Sequence, residues 1–139
     1  MVEVACAVPY REVSGEVQIL LVSTRKKGKW IFPKGRIQNG EQPSVTAGKE
    51  AWEEGGVRGK VHQTPLAQFS RRTETGPEPI EVFLLRVEKV KRSWPEKKVR
   101  RRKWVTLGRA SKFIKKGDLK KLLPRIEATL QATAALSEI

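Results

Sequence analysis

Three glutamates, Glu50, Glu53 and Glu54, crowd one short stretch of a chain whose formal net charge is +14. At about 100° per residue, helical positions i, i+3 and i+4 share a face. The three carboxylates would therefore converge within roughly a third of the circumference, with Val45, Gly48 and Trp52 on the opposite side. Like charges at these spacings weaken an isolated helix by a few tenths of a kcal/mol per pair, a cost that a bound cation offsets. Oxygen-only ligands select a hard divalent ion, magnesium or manganese, over zinc or copper. The competing reading is a solvated acidic face, the ordinary explanation for a run of charge.

The surrounding spacing favours the metal. The segment reads Gly35, five residues, Glu41, seven residues, Lys49-Glu50-Ala51, one residue, Glu53-Glu54, one residue, Gly56-Val57. It resembles the Nudix box, G-x5-E-x7-R-E-U-x-E-E-x-G-U with U aliphatic, at every fixed position except Lys49, where the family has arginine. The resemblance implies an α/β fold, a Nudix-type α/β/α sandwich with a mixed β-sheet, in a single domain over residues 1–139. It also implies hydrolysis of a phosphoanhydride in a diphosphate linked to another group, with Mg2+ or Mn2+ as cofactor. By the same analogy Glu50 and Glu54 are metal ligands, Glu53 is a further ligand or the general base, the Gly35 carbonyl joins the metal shell, and Glu41 supports the site. In the family two ions about 4 Å apart would orient the diphosphate and stabilise the leaving oxygen during in-line displacement. The family arginine holds box glutamates in place. Lys49 keeps its charge but offers a point contact where a guanidinium offers a fork. Some members take the base from a loop outside the box, which makes Glu74, Glu78 and Glu81 the alternatives to Glu53.

Elements that could position these residues are legible on both sides. Pro43 suits the first turn of a helix, where its missing N–H is not needed. Gly55-Gly56 suits the reversal at its end, so the box helix spans about Pro43 to Gly55. Gly35 allows close approach of backbone to a ligand. Val4 to Val8 and Val17 to Val22 read as paired strands around a turn at Ser14-Gly15, and Trp30-Ile31-Phe32 as a short strand leading to Pro33-Lys34-Gly35-Arg36. Val61 to Ser70 reads as extended, with Pro65 marking an edge or bulge. Ile80 to Val90 has Ile80, Val82 and Leu84 on one face and Phe83, Leu85 and Val87 on the other, the mark of a strand buried on both sides. Lys103 to Leu107 reads as a strand, then Arg109 to Ile114 and Asp118 to about Leu136 as helices. Asp118 is the N-cap and Pro124 a kink or split. Thr73 to Pro79, rich in Gly and Pro, reads as a mobile loop able to close over substrate.

Composition narrows the remaining classes. A length of 139 residues with 38% hydrophobic content suits one domain with a real core. No apolar run is long enough to span a membrane, and the first residues lack the basic and apolar regions of a signal peptide. The expected location is cytoplasmic, or nuclear if Arg100 to Arg102 acts as an import signal. One cysteine, Cys6, excludes an internal disulfide, and one histidine, His62, excludes a histidine-rich zinc site. Cys6, in an apolar strand, reads as a packed core thiol.

Lysine and arginine total 29 against 15 aspartate and glutamate, clustered at Arg25 to Lys29, at Lys34 and Arg36, at Arg71-Arg72, and from Lys97 to Lys103. Such clusters attract polyanions. Within the Nudix family the chain is most similar to the diphosphoinositol polyphosphate phosphohydrolase branch, whose members also cleave diadenosine polyphosphates. The similarity runs from about Ala5 to Leu123: Leu20-Leu21-Val22-Ser23, then Arg25 and Trp30 before the loop, then the basic run ending at Lys103-Trp104. Carried over from that branch, the phosphate contacts are Ser23, Arg25, Lys34, Gly35, Arg36 and one of Arg71 or Arg72. The implied partner is a polyphosphorylated small molecule, with nucleic acid possible through the basic surface, no membrane, and a monomer favoured.

Two other classes compete. A nucleotide pyrophosphatase acting on ADP-ribose, a nucleoside triphosphate or an RNA 5′-end would call for aromatic stacking on the base, and the chain has only 6% aromatic residues. A non-catalytic, polyanion- or nucleic-acid-binding Nudix module would suit the isoelectric point of about 10.4. Against it stands the survival of all four box glutamates.

Overall fold

The computed structural model describes residues 2–115 and 117–137. The doubly apolar stretch becomes strand β7 (Gly76–Val90), with β1 (Val4–Val13) parallel to it from Val4 opposite Ile80 to Tyr10 opposite Arg86. The other strands are β2 (Glu16–Ser23), β3 (Trp30–Ile31), β4 (Lys34–Arg36), β5 (Val57–Val61), β6 (Ala67–Thr73) and β8 (Arg102–Thr106). All their pairings are antiparallel, so the sheet is mixed.

Helix α1 (Pro43–Gly55) packs on one face, over Ala5, Ala7, Leu20, Phe83 and Leu85. The opposite face carries Cys6, Val8, Leu21, Val82 and Leu84, covered by a 3-10 helix (Leu107–Lys112) and helices α2 (Gly117–Lys120) and α3 (Leu123–Ser137), which contribute Ala110, Leu119, Ile126 and Leu130. The two apolar stripes of β7 thus feed two cores, which is the expected α/β/α sandwich. Cys6 is buried there, and burial pushes its thiol up to about 12. No described helix is long and apolar enough to cross a membrane.

The feature that makes room for a site is a fork between β1 and β2. The two strands pair only from Tyr10 to Val13, next to the turn at Ser14-Gly15, where both residues take positive φ. Beyond that pairing, Trp30 to Arg36 enters the gap. Trp30 and Ile31 pair with Ser23 and Val22, the Pro33 carbonyl accepts from the Ala7 N–H, and Lys34 to Arg36 pairs with Cys6 to Val4.

Several expectations are corrected. Thr73 to Pro79 is not a loop. It forms the tight hairpin between β6 and β7, with Thr73 opposite Gly76 and Arg72 opposite Pro77. The Pro79 carbonyl, which lies on the same strand edge as its missing N–H, meets Glu3 just before β1 begins, so both prolines turn their donor-free edge to a side where little ladder exists. The extended stretch from Val61 to Ser70 breaks between β5 and β6, around Pro65. The helix from Asp118 to Leu136 is two helices, with Pro124 in the first turn of the second. The Asp118 side chain lies outside the described residues. Arg109 to Ile114 is mostly covered by the 3-10 helix.

Candidate active site

Helix α1 starts with Pro43 at its first turn and ends on Gly56, which takes φ 68° and donates to the carbonyls of Ala51 and Trp52. Its buried stripe is Thr46, Ala47, Ala51, Glu54 and Gly55. Val45 is exposed, and Trp52 is partly covered by the Arg58 guanidinium, 4.0 Å from the ring centroid. Because Glu54 belongs to the buried stripe and Glu50 and Glu53 flank it, the carboxylates stand where the helix meets the fork in the sheet.

Glu54 is 4% exposed. Its Oε1 accepts the Lys34 N–H at 3.2 Å and its Oε2 accepts from Arg100 Nη2 at 3.2 Å. Burial nevertheless raises its carboxyl to about 7, with Arg100 pulling the other way. Burial, followed by the charges of Glu54 and Glu53, raises Glu50 to about 8. Gly35 lies directly against Glu50: a Cβ there would overlap the carboxylate and come within 2.9 Å of Cγ. The close approach allowed by this glycine is to a box glutamate.

Lys49 makes its hydrogen bond outside that triplet, although the charges of Glu53 and Glu50 also reach its ammonium. Its Nζ donates to Glu41 Oε2 at 3.0 Å, and the Thr46 hydroxyl donates to Oε1. Those two hydrogen bonds, Thr46 first, hold the Glu41 carboxyl below the usual range. Glu41 therefore anchors the loop before α1 to its first turns.

The β7–β8 connection brings in two residues that sequence reasoning missed. Glu96 Oε1 accepts from Arg25 at 3.0 Å and from Arg100 Nε at 2.8 Å. Burial works to raise Glu96, but these hydrogen bonds outweigh it and hold the carboxyl low. The Glu96 N–H donates to the Glu53 carbonyl, and the Lys91 N–H to that of Gly56, so the connection is fastened to the end of α1. Trp94 covers Gly56 and stacks under Arg102, 4.0 Å from the centroid. One signal was available: Glu96 is the only acidic residue between Lys91 and Lys103.

Arg25, Lys26, Lys27, Lys29, Lys34 and Arg100 line a cleft of about 440 Å³, with Thr24 and Ile31. It adjoins the carboxylates, because Lys34 and Arg100 both bond Glu54. Of the expected phosphate contacts, Arg25 and Lys34 are in this cleft. Ser23 is buried, its hydroxyl accepting the Arg101 N–H at 2.8 Å. Arg36 and Arg71 converge elsewhere, on buried Glu78, at 3.7 and 2.5 Å. Arg72 is exposed on β6. Among the alternative bases, Glu74 is exposed in the hairpin turn, Glu78 is held by those two arginines, and Glu81 accepts from Gln68.

Among the described residues no three His, Cys, Asp or Glu side chains already surround a common point as ligands. The donor set still fits a hard divalent ion in kind: carboxylates on one helix, two of them raised by burial, on the rim of a cationic cleft.

Fold and site together define a member of the Nudix family: residues 2–126 match the NUDIX domain, and the chain belongs to that family. Nudix hydrolases generally use divalent metal cations. Nudix hydrolase 21, chloroplastic, of Arabidopsis thaliana is 35% identical over 113 residues, covering 78% of this chain and 57% of the relative. Diphosphoinositol polyphosphate phosphohydrolase 3-beta of Bos taurus is 30% identical over 109 residues, covering 78% of this chain and 61% of the relative. The chain thus spans little more than half the length of these curated relatives. An Ap4A hydrolase of C. elegans superposes with a TM-score of 0.77 at 24% identity, covering 94% of this chain and 99% of that one. The Nudix domain of Shewanella oneidensis NrtR, complexed with ADP ribose, superposes with a TM-score of 0.72 at 16% identity, covering 94% and 88%. These structural likenesses bear on the fold alone.

Proposed function

We propose that this protein is a pyrophosphohydrolase that cleaves a phosphoanhydride in a highly phosphorylated small molecule, a diphosphoinositol polyphosphate first and a diadenosine polyphosphate second. The observation that carries this reading is the junction of the two halves of the site. Glu50, Glu53 and Glu54 stand beside a cleft with six cationic side chains, and Glu54 is bonded to two residues of that cleft. Glu50 and Glu54, with the Gly35 carbonyl, would hold Mg2+ or Mn2+, and of the two roles open to Glu53, further ligand or base, the base is the one proposed. When bound, such an ion would supply Lewis-acid polarisation of the diphosphate.

The chain's own residues do the rest. Arg25, Lys34 and the neighbouring lysines neutralise and orient the phosphates, with Arg36, Arg71 or Arg72 engaging any that extend past the cleft. Glu53, whose side chain keeps partial access to solvent, takes the proton from the attacking water. No aromatic side chain lines the cleft, and base recognition would call for one. That favours the inositol substrate over the nucleotide.

The test is kcat/KM with Mg2+ across diphosphoinositol polyphosphates, diadenosine polyphosphates, ADP-ribose, nucleoside triphosphates and 5′-triphosphate RNA. Glu53→Gln and Glu54→Gln should each remove most activity while far-UV circular dichroism stays unchanged. Undiminished rates in both variants would refute the site assignment, and salt-sensitive RNA binding without turnover would favour a non-catalytic module.

A further inference from the structure

We infer that Arg100 is the positioning residue that holds Glu54 in place, with Glu96 fixing Arg100 in turn; this rests on the metal-binding reading of the carboxylates proposed above. Glu54 is a buried carboxylate, and a buried carboxylate without partners is costly. The cation inside the box does not serve it: Lys49 is engaged with Glu41. Arg100 does. Its guanidinium sends Nη2 to Glu54 Oε2 at 3.2 Å, Nη1 to the Ser23 carbonyl at 3.0 Å and Nε to Glu96 Oε1 at 2.8 Å. One planar fork thus ties α1, the end of β2 and the β7–β8 connection together, with 12% of its side chain exposed. A lysine ammonium carries its donors on one nitrogen and does not reproduce contacts made from the three nitrogens of a planar fork.

Glu96 completes the arrangement from two sides. Its carboxylate orients the Nε edge of Arg100, and its N–H on the Glu53 carbonyl, 3.0 Å away, fixes the connection against the helix that carries the ligands. Because the same oxygen of Glu96 also holds Arg25 on the cleft rim, the contacts that place Glu54 are continuous with those that place a phosphate-facing cation.

A positioning role and a simple charge role differ in the sign of their effect on metal binding. A positive charge beside a dication repels it, so removing that charge alone tightens binding. Loss of positioning weakens binding, by about 10- to 100-fold for partners of metal ligands. Mn2+ is therefore titrated into the parent, Arg100→Lys, Arg100→Gln and Glu54→Gln, with free Mn2+ read by electron paramagnetic resonance. We expect Arg100→Lys to bind Mn2+ about 10-fold or more weakly, and Arg100→Gln to bind more weakly too, despite its lost charge, with kcat falling in both. Unchanged Mn2+ affinity in Arg100→Lys and tighter binding in Arg100→Gln, with the loss confined to KM, would overturn the inference and leave Arg100 a phosphate contact. Urea unfolding of the metal-free Arg100→Gln, Glu54→Gln and double variants supplies a readout that needs no ion. The double variant's midpoint should fall by less than the sum of the single shifts, and strict additivity would overturn the contact. If the parent binds no Mn2+, the metal reading fails, and the urea comparison decides the Arg100 to Glu54 contact alone.

Discussion

Substituting Gly35 by alanine isolates the geometry of the site from the stability of the fold. Gly35 pairs with Ala5 in the sheet and is not among the glycines with positive φ, so its backbone accepts a side chain. The added methyl would overlap the Glu50 carboxylate and approach Cγ to 2.9 Å. The obstacle is the end of a flexible side chain, so Glu50 rotates away while the strand stays. Relief of the overlap displaces the carboxylate by roughly 1 Å, and a misplacement of that size at a reacting centre costs about 10²-fold in rate, equivalent to about 2.7 kcal/mol of barrier. Gly35→Ala should therefore fold with a melting temperature close to the parent's, while kcat/KM falls about 100-fold and Mn2+ affinity drops. The assay is steady-state phosphate release with Mg2+, beside a thermal melt. Rates within twofold of the parent would show that Glu50 does not act from its place against Gly35.

Gly56→Ala perturbs the fold instead. An L-residue at φ 68° costs about 1–2 kcal/mol, and its Cβ would stand 2.8 Å from the Trp94 ring, so urea denaturation should show at least that loss. Glu50 and Glu54 set the pH dependence of the metal-free protein, with the single His62, held low by burial, working against them. Glu50 and Glu54 are raised from 4.5 to about 8 and about 7, so the folded state binds more protons than the unfolded state between those limits, and stability declines as pH rises from about 4.5 to about 8. Saturating Mn2+ should flatten that decline. Below the window Glu41 and Glu96, both held low, lose their contribution as they protonate. A urea midpoint that rises between pH 5 and pH 8 without metal would contradict the raised values. Lys49→Arg should leave kcat/KM within about fivefold of the parent or raise it, because Lys49 meets Glu41 in a solvent-screened pair that a guanidinium can also make. A larger drop would mean that Lys49 does more than anchor Glu41.

Local patterns were sufficient where the physics is local. Proline at the helix start and paired glycines at its end bounded α1 at Pro43 and Gly55, because N–H supply and left-handed backbone are properties of those residues alone. Alternation of two apolar sets from Ile80 marked a strand covered on both faces, and that strand does lie between the two cores. The carboxylate triplet and its spacing led to the family. Tertiary structure decided what depends on partners distant in the chain. Thr73 to Pro79 looked like a loop by composition, yet its prolines are tolerated because their donor-free edge faces the start of β1, which no local window reveals. The basic run from Lys97 to Lys103 looked like a solvated or nucleic-acid-binding surface. Within it Arg100 reaches back 46 residues in sequence to Glu54, and Arg102 stacks on Trp94. Lys49 holds Glu41, and which of the four box glutamates it would meet could not be read from spacing. An ion pair is set by where two side chains end up in space, and periodicity along a sequence carries no information about that.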